Sequence, residues 1–242
     1  MTAKVAFLFA HPDDETFLCS CLIRKLADAQ VPVSLLLATK GDAGYKNGYV
    51  KDLNLTREQL GAIRVREMEE AARILGIPQE AVQFLDFPDG QLQEADPDEF
   101  LRQVTAFLQR HEPQVVVTFP PDGGNGHRDH IAISQVTTKA VLGGGGPSVQ
   151  KLYYCSSPAL ELSGHLPSVR LDTADMWAMK AEALKAHRSQ LLAIERAFGT
   201  LDKVPEARRY EEFVLAWERG IRWPKKTEKS VLDGLHDDTN HS

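Results

Sequence analysis

Features that direct a chain to membranes, to nucleic acids or to disulfide-linked scaffolds are scarce in these 242 residues. The apolar run from Val5 to Ala10 is too short for a membrane span or for the hydrophobic core of a signal peptide. No lysine- or arginine-rich run offsets the net charge of −6, which argues against binding to a nucleic-acid backbone. The three cysteines lack paired zinc-ribbon spacing, and we expect reduced thiols in a cytoplasmic protein: Cys19, Cys21 and Cys155.

The remaining sequence alternates between β-type and helix-type segments. Strands are predicted over 5–10, 31–39, 82–85, 115–119, 151–155 and 168–171, and helices over 14–29, 56–75, 99–110, 130–142 and 174–193. Such alternation indicates parallel βαβ units, hence a Rossmann-like three-layer α/β sandwich with a mostly parallel sheet. No repeat or linker divides the chain, so we expect one domain over 1–224 and a polar C-terminal tail over 225–242.

Two polar clusters follow predicted strands. His11-Pro12-Asp13-Asp14-Glu15 comes directly after the first strand, and Asp122-Gly-Gly-Asn-Gly-His127-Arg-Asp129-His130 follows the strand over 115–119. Ligands in open α/β sheets bind at the carboxyl ends of the strands. Both clusters should therefore lie on the same edge of the sheet.

The two clusters together contain the ligand types of a catalytic zinc. His11, His130 and one carboxylate, from Asp13 or Asp14, would bind the metal and leave one position open for water. The same set also suits non-haem Fe(II). The carboxylate that does not bind metal would act as general base on the water.

The second cluster supplies two further groups. His127 would donate a proton or stabilise an oxyanion, and Asp129 would orient one of the histidines. Each cluster taken alone also has a purely structural interpretation, as acidic residues that cap a helix or as a glycine-rich loop. Their coincidence on two strand ends of one sheet favours the metal site.

Three residues outside the clusters leave alternatives open. Arg64 interrupts an apolar helical stripe and needs a partner, either Glu67 or an anionic group of a substrate. Asp89 fits a turn or accepts a hydrogen bond from a substrate hydroxyl. His187 lies on an apolar stripe, where a histidine is more often structural than catalytic.

The ordered motifs resemble the LmbE/PIG-L family of zinc-dependent N-acetylglucosaminyl deacetylases, whose fold is Rossmann-like. The resemblance extends from the first cluster to the last motif through most of the chain: His11-Pro-Asp-Asp-Glu15, Arg64-x-x-Glu67, Phe87-Pro-Asp-Gly90, Gly126-His-Arg-Asp-His130 and His187-Arg-Ser-Gln190. It implies zinc as the cofactor, a small amino-sugar substrate and a homo-oligomer.

The resemblance also implies a role for each site residue. His11, Asp14 and His130 resemble the zinc ligands, and Asp13 the general base. His127 resembles the histidine that stabilises the oxyanion or protonates the leaving amine. Asp129 resembles the orienting partner of His127. Arg64 and Asp89 resemble residues that contact the substrate.

This sequence departs from the family pattern at three places. Leu18-Cys19-Ser20-Cys21 stands where glycines are frequent, Arg128 where a proline is usual, and Asn125 where some deacetylases carry a tyrosine. These departures affect the substrate rather than the ligands or the base.

The leading hypothesis is a zinc-dependent hydrolase that removes acetyl from an N-acetylglucosamine-bearing small molecule. N-Acetylglucosaminyl malate, in low-molecular-weight thiol synthesis including that of bacillithiol, and chitin-type oligosaccharides are the substrates that the resemblance implies. The alternatives are an amidase of thiol S-conjugates and a Rossmann-like binding protein without turnover. The second is disfavoured because the first loop lacks the GxGxxG motif that binds a pyrophosphate.

Overall fold

The computed structural model describes residues 3–44, 50, 51 and 53–236. The strands are β1 (Val5–Phe9), β2 (Val33–Leu37), β3 (Val82–Phe84), β4 (Val115–Thr118), β5 (Lys151–Cys155), β6 (Val169–Asp172), β7 (Tyr210–Glu218) and β8 (Ile221–Arg222). The helices are α1 (Asp14–Asp28), α2 (Arg57–Leu75), α3 (Pro97–His111), α4 (Arg128–Leu142), α5 (Pro158–Leu162), α6 (Trp177–Ala186) and α7 (Leu191–Phe198).

One mixed sheet runs through the molecule in the order β3-β2-β1-β4-β5-β7-β6, with β8 added beside β7. The first five of these strands are parallel, and β7 pairs antiparallel with β5, β6 and β8. Helices α1, α2 and α6 contact one another, and α3 packs against α4. The predicted single α/β domain with a mostly parallel sheet flanked by helices is confirmed.

The strand order reverses between β1 and β4. From β1 the chain proceeds outward to β2 and β3, then returns to the other side of β1 to form β4 and β5. A reversal of this kind opens a crevice at the carboxyl ends of the two central strands. The two polar clusters follow β1 and β4, so the fold brings them to this crevice.

Two features of the last third of the chain differ from the sequence prediction. Strand β7 was not predicted, because its short apolar run, Phe213 to Ala216, follows an acidic pair and suits a helix as well as a strand. The single helix predicted over 174–193 is interrupted between α6 and α7 by a 3-10 turn, Arg188–Gln190. Glu67 of α2 accepts hydrogen bonds from the Ser189 amide and hydroxyl, which holds this turn against α2.

A buried ion pair joins α1, α6 and β7. Lys180 donates to Glu211 at 2.7 Å and to the Phe17 carbonyl at 3.0 Å, and Glu211 accepts from the Cys21 amide at 3.0 Å. In a regular helix the Phe17 carbonyl and the Cys21 amide bond each other. Both charges are almost fully buried, so each depends on the other for compensation.

Replacing Lys180 by methionine should lower the free energy of unfolding by about 3–5 kcal/mol, because the Glu211 charge would stay buried without its partner. Urea denaturation of both proteins measures the difference. Lys185→Met, which removes an exposed pair with Glu182, is the matched control and should stay within about 0.5 kcal/mol of the unaltered protein. Equal effects of the two substitutions would contradict the assignment.

Part of the segment predicted as a polar tail packs against the sheet. Glu228 accepts a hydrogen bond from buried Lys151 of β5 at 2.6 Å, and Val231 is fully buried. Within the described ranges, no helix is both long and apolar enough to cross a membrane.

Candidate metal and active site

The crevice at the ends of β1 and β4 is a cavity of about 1010 Å³, at the upper end of the range for small-molecule sites. His11, Asp13 and Asp14 line it from the β1 side, and His127 and His130 from the β4 side. Residues of the turn between α6 and α7, and of α7 itself, form the outer wall: Gln190, Leu192, Ala193 and Arg196.

The three predicted metal ligands, His11, Asp14 and His130, converge in this cavity. His11 Nδ1 lies 3.3 Å from His130 Nε2 and 3.5 Å from Asp14 Oδ2. The other carboxylate oxygen of Asp14 lies 3.3 Å from His130 Nε2. Ligand atoms at ~2.0–2.1 Å from a tetrahedral zinc are roughly 3.3–3.4 Å apart, so the separation of His11 Nδ1 and His130 Nε2 fits two ligands of one zinc ion. Each carboxylate oxygen of Asp14 lies at a similar distance from one of these two nitrogens.

In each of the two histidines, the hydrogen bond made by one ring nitrogen determines whether the other nitrogen has a lone pair available to a metal. His130 Nδ1 lies 3.1 Å from the Gly123 carbonyl, which only accepts, so Nδ1 carries the hydrogen and Nε2 has a free lone pair. His11 Nε2 lies 3.0 Å from Asp89 and 3.2 Å from Asp129, which likewise makes it the donor. His11 Nδ1 and His130 Nε2 are therefore the nitrogens available to a metal.

In the described part of the chain, two groupings place one potential ligand atom from each residue within 4.8 Å of one another: His11, His127 and His130, and His11, Asp89 and Asp129. The second uses the Nε2 side of His11, where Asp129 already accepts from the amides of Gly90 and Leu92. His11 belongs to both groupings. Unlike the grouping with Asp89 and Asp129, a set completed by Asp14 uses the free lone pairs of both His11 and His130.

The pKa values of the adjacent Asp13 and Asp14 carboxyls are shifted in opposite directions. Burial raises the pKa of Asp13 to about 6, against the lowering effect of Arg64. Burial also acts to raise the pKa of Asp14, but His130 and His11 outweigh it and hold that pKa well below its usual range. Asp14 is thus suited to remain an anionic ligand and Asp13 to accept a proton.

Asp13 has an unusual backbone conformation, with φ of 121° and ψ of −27°. Such a conformation in a residue other than glycine costs roughly 1–3 kcal/mol and persists only where the surroundings impose it. Arg64 contributes by donating to the Pro12 carbonyl and, at 3.1 Å, to the Asp13 carboxylate. Strain of this kind is concentrated at functional sites.

Arg64 is buried, and its terminal nitrogens bind protein oxygens. One of them donates to the Gly41 carbonyl at 2.9 Å, and Gly41 has φ of +65°. A Cβ at position 41 would lie 2.2 Å from that nitrogen, so the guanidinium requires glycine there. The prediction that Arg64 contacts substrate stays a prediction; the partners that the structure gives it are Pro12, Asp13 and Gly41.

His127 lies beside His11 and His130, the two histidines predicted to bind metal. Its ring centroid is 4.9 Å from that of His11 and 4.7 Å from that of His130. Burial and these two histidines lower its pKa, which favours the neutral imidazole. Because Nδ1 accepts the Asp129 amide at the start of α4, the hydrogen of the neutral ring is on Nε2, where it can be donated to a substrate.

Asp129 and Asp89 both act on His11. The resemblance implied that Asp129 orients His127, but its carboxylate contacts His11 Nε2 because the amides of Gly90 and Leu92 hold it on that side. Asp89 lines the cavity, yet its two oxygens contact His11 at 3.0 Å and the Ala43 amide at 2.7 Å. A substrate contact for Asp89 stays a prediction.

Several residues near the site were not identified as functional from the sequence. Glu15, Thr16 and His187 form a buried hydrogen-bonded group behind Asp13. Arg196 and Arg208 line the outer part of the cavity. Two features of the sequence could have indicated these residues: the acidic run that continues from Asp13 to Glu15, and Arg196, four residues after Leu192 on α7.

Two imidazoles and a carboxylate that converge on one point, with a second carboxylate and a neutral imidazole beside them, define a site of the metal-dependent hydrolase class. The family described as GlcNAc-PI de-N-acetylase (PIG-L) matches residues 6–141, which contain every one of these groups. The chain belongs to this family.

Curated relatives match most of the chain. It is 30% identical to a probable N-acetyl-alpha-D-glucosaminyl L-malate deacetylase 2 of Bacillus cereus, over 80% of this chain and 86% of the relative. It is also 30% identical to a 1D-myo-inositol 2-acetamido-2-deoxy-alpha-D-glucopyranoside deacetylase of Mycolicibacterium vanbaalenii, over 97% and 98% of the two chains. Both relatives are deacetylases.

Two solved structures share the fold. The N,N'-diacetylchitobiose deacetylase of Pyrococcus horikoshii aligns with a TM-score of 0.67 at 22% identity, over 88% of this chain and 83% of that one. The 4-carboxy-2-hydroxymuconate hydratase GalB of Pseudomonas putida aligns with a TM-score of 0.66 at 18% identity, over 90% and 98%. Since a deacetylase and a hydratase share this fold almost equally well, only the site distinguishes between reactions.

Proposed function

We propose that the protein is a zinc-dependent N-deacetylase of a small N-acetylglucosamine conjugate. The observation that carries the proposal is the convergence of three groups: His11 Nδ1 and His130 Nε2 lie 3.3 Å apart, and each has one oxygen of the Asp14 carboxylate within 3.5 Å. Zinc bound there would lower the pKa of water and polarise the amide carbonyl. Fe(II) suits the same ligands. A cytoplasmic location and a homo-oligomeric state stay predictions.

The chain's own groups account for the proton transfers. Asp13, with its raised pKa and its carboxylate fixed by Arg64, accepts the proton of the attacking water. His127 donates its Nε2 hydrogen to the developing oxyanion or to the leaving nitrogen. Asp129 and Asp89 keep His11 in the tautomer that presents Nδ1.

The residues that line the outer part of the cavity favour a substrate with an acidic group attached to the amino sugar. Arg196 and Arg208 line it, and neither forms an ion pair with any residue of the described ranges. The adjacent Arg209, in contrast, is paired with Asp172 at 2.8 Å. Two guanidinium groups without an ion pair to the described residues, one of them over the Phe198 ring, favour a carboxylate-bearing conjugate, such as N-acetylglucosaminyl malate, over a neutral disaccharide.

Acetate release from N-acetylglucosaminyl malate and from N,N'-diacetylchitobiose tests the proposal. We expect release from both, faster from the malate conjugate, abolished by a chelator and restored by zinc or Fe(II). No release from either substrate by the metal-loaded protein would reject the deacetylase. Turnover of a thiol S-conjugate amide in its place would establish the amidase.

The contribution of the two arginines is tested by changing both to glutamine. We expect KM for the malate conjugate to rise at least about tenfold, since each charge-assisted contact is worth about 1.5–3 kcal/mol, while KM for the disaccharide stays constant. Arg209→Gln is the matched control, since its side chain pairs with Asp172 and does not line the cavity. Equal changes for both substrates would show that the arginines do not recognise an anion.

A further inference from the structure

The conformation of Asp13 is imposed through its backbone as well as its side chain. Its amide donates to Glu15 Oε2 at 3.2 Å, while Arg64 donates to the preceding Pro12 carbonyl. Both groups of the peptide bond between Pro12 and Asp13 are therefore bound. A backbone at φ of 121° depends on such contacts, since the strain would relax without them.

Glu15 is itself held by two residues that do not line the cavity. Thr16 Oγ1 donates to Glu15 Oε1, and His187 Nε2 lies 3.1 Å from Thr16 Oγ1 and 3.4 Å from Glu15 Oε1. Because the Thr16 hydroxyl hydrogen is directed at Glu15, its oxygen can accept the Nε2 hydrogen of His187. A continuous chain of hydrogen bonds thus runs from His187 through Thr16 and Glu15 to the amide of Asp13.

This chain lies in the interior of the protein. Glu15 and Thr16 are fully buried and His187 is 1% exposed. Burying a carboxylate and an imidazole costs free energy that apolar residues of the same size would not cost. His187 occupies the break between α6 and the 3-10 turn, so the interruption of the predicted helix places its ring behind the first turn of α1.

We propose that His187, Thr16 and Glu15 are positioning residues for Asp13, an inference that rests on the proposed deacetylase function. Through the Asp13 amide they hold the strained backbone that directs the carboxylate at the attacking water. None of the three lines the cavity, and their effect on the reaction passes entirely through Asp13.

Thr16→Val tests the proposal, because valine keeps the shape of threonine and removes the hydroxyl that links His187 to Glu15. We expect kcat to fall about tenfold or more, with KM and zinc content unchanged, since a small displacement of a catalytic group is costly. Thr137→Val is the matched control: Thr137 is fully buried in α4, and its hydroxyl has no hydrogen-bond partner among the residues that the structure describes. His187→Gln should lower kcat by a similar factor. It tests the proposal independently if the Thr16→Val protein does not fold.

A double-mutant cycle separates positioning from a general loss of structure. In an Asp13→Asn background, Thr16→Val or His187→Gln should change the residual rate by less than about twofold, because the group through which they act is already removed. The same factor of loss in both backgrounds, or an unchanged kcat in the single variants, overturns the inference alone. An unaltered, metal-loaded protein that releases no acetate overturns the proposed function and this inference with it.

Discussion

Asp13→Asn should lower kcat for acetate release by about 10²–10⁴-fold while the protein keeps its zinc. Asparagine has nearly the same shape and retains an oxygen that can accept the Arg64 hydrogen bond, but it cannot take a proton from water. The three predicted metal ligands, His11, Asp14 and His130, are unchanged by this substitution. Steady-state kinetics together with elemental analysis of bound zinc measure the two effects separately.

Two results with the Asp13→Asn variant would contradict the role of Asp13 as general base. A variant with an unchanged kcat would show that another group is the base, whatever metal is bound. A variant that loses its zinc would show that Asp13 is a ligand, and the assignment of ligand and base to this pair of carboxylates would be reversed. Asp42→Asn, which alters an exposed ion pair with Arg57, is a suitable control and should leave kcat unchanged.

His11→Ala should abolish zinc binding and lower kcat by about 10³-fold or more. His11 belongs to every grouping of potential ligands discussed above, so no neighbouring pair can replace it. Without the metal the reaction loses its polarised carbonyl and its activated water together. Zinc content by elemental analysis and acetate release at saturating substrate measure the outcome.

The companion substitution Asp14→Ala identifies the third ligand. If Asp14 binds zinc, the metal is lost or weakened as it is in His11→Ala. If the trio of His11, His127 and His130 binds the metal, Asp14→Ala retains zinc and His127→Ala loses it. His165→Ala, which changes a histidine stacked on Trp223, should alter neither quantity.

The fold leaves the reaction undecided. A deacetylase and a hydratase align with this chain at TM-scores of 0.67 and 0.66, so the doubly wound sheet supports both kinds of chemistry. The evidence for hydrolysis of an amide comes from the polar groups at the ends of β1 and β4 and from the relationship to deacetylases in sequence. In the proposed function, substrate choice depends on a different part of the cavity, where α7 and the segment before β7 contribute the two arginines.

Much of the α/β architecture follows from local sequence signals. The strands β1, β2 and β4 are fully buried apolar runs, and α2 begins with a capping box at Thr56 and ends at Gly76 in the left-handed conformation. Parallel strands joined by helices are then constrained to a sheet that collects the loops after β1 and β4 at one edge. The metal-site hypothesis needed no more than this.

Strand β7 and the break after α6 show where local signals end. The run over 213–216 becomes a strand because β5 and β6 offer antiparallel partners on either side, which no local pattern records. The helix predicted over 174–193 breaks at His187 because Glu67, 122 residues before Ser189 in the chain, takes over the hydrogen bonds of the turn. Both outcomes depend on contacts between segments distant in sequence.

The sequence by itself determined which chemical groups meet at the carboxyl edge of the sheet, because strand periodicity and the position of a polar run after a strand are local properties. Only the tertiary structure decided what each group does there. The tautomers of His11 and His130 are set by Asp89, Asp129 and the Gly123 carbonyl, and the Asp13 backbone by Glu15 and Arg64. Hydrogen-bond direction and burial are properties of the assembled packing, since most of these partners come from loops and helices far apart in the chain.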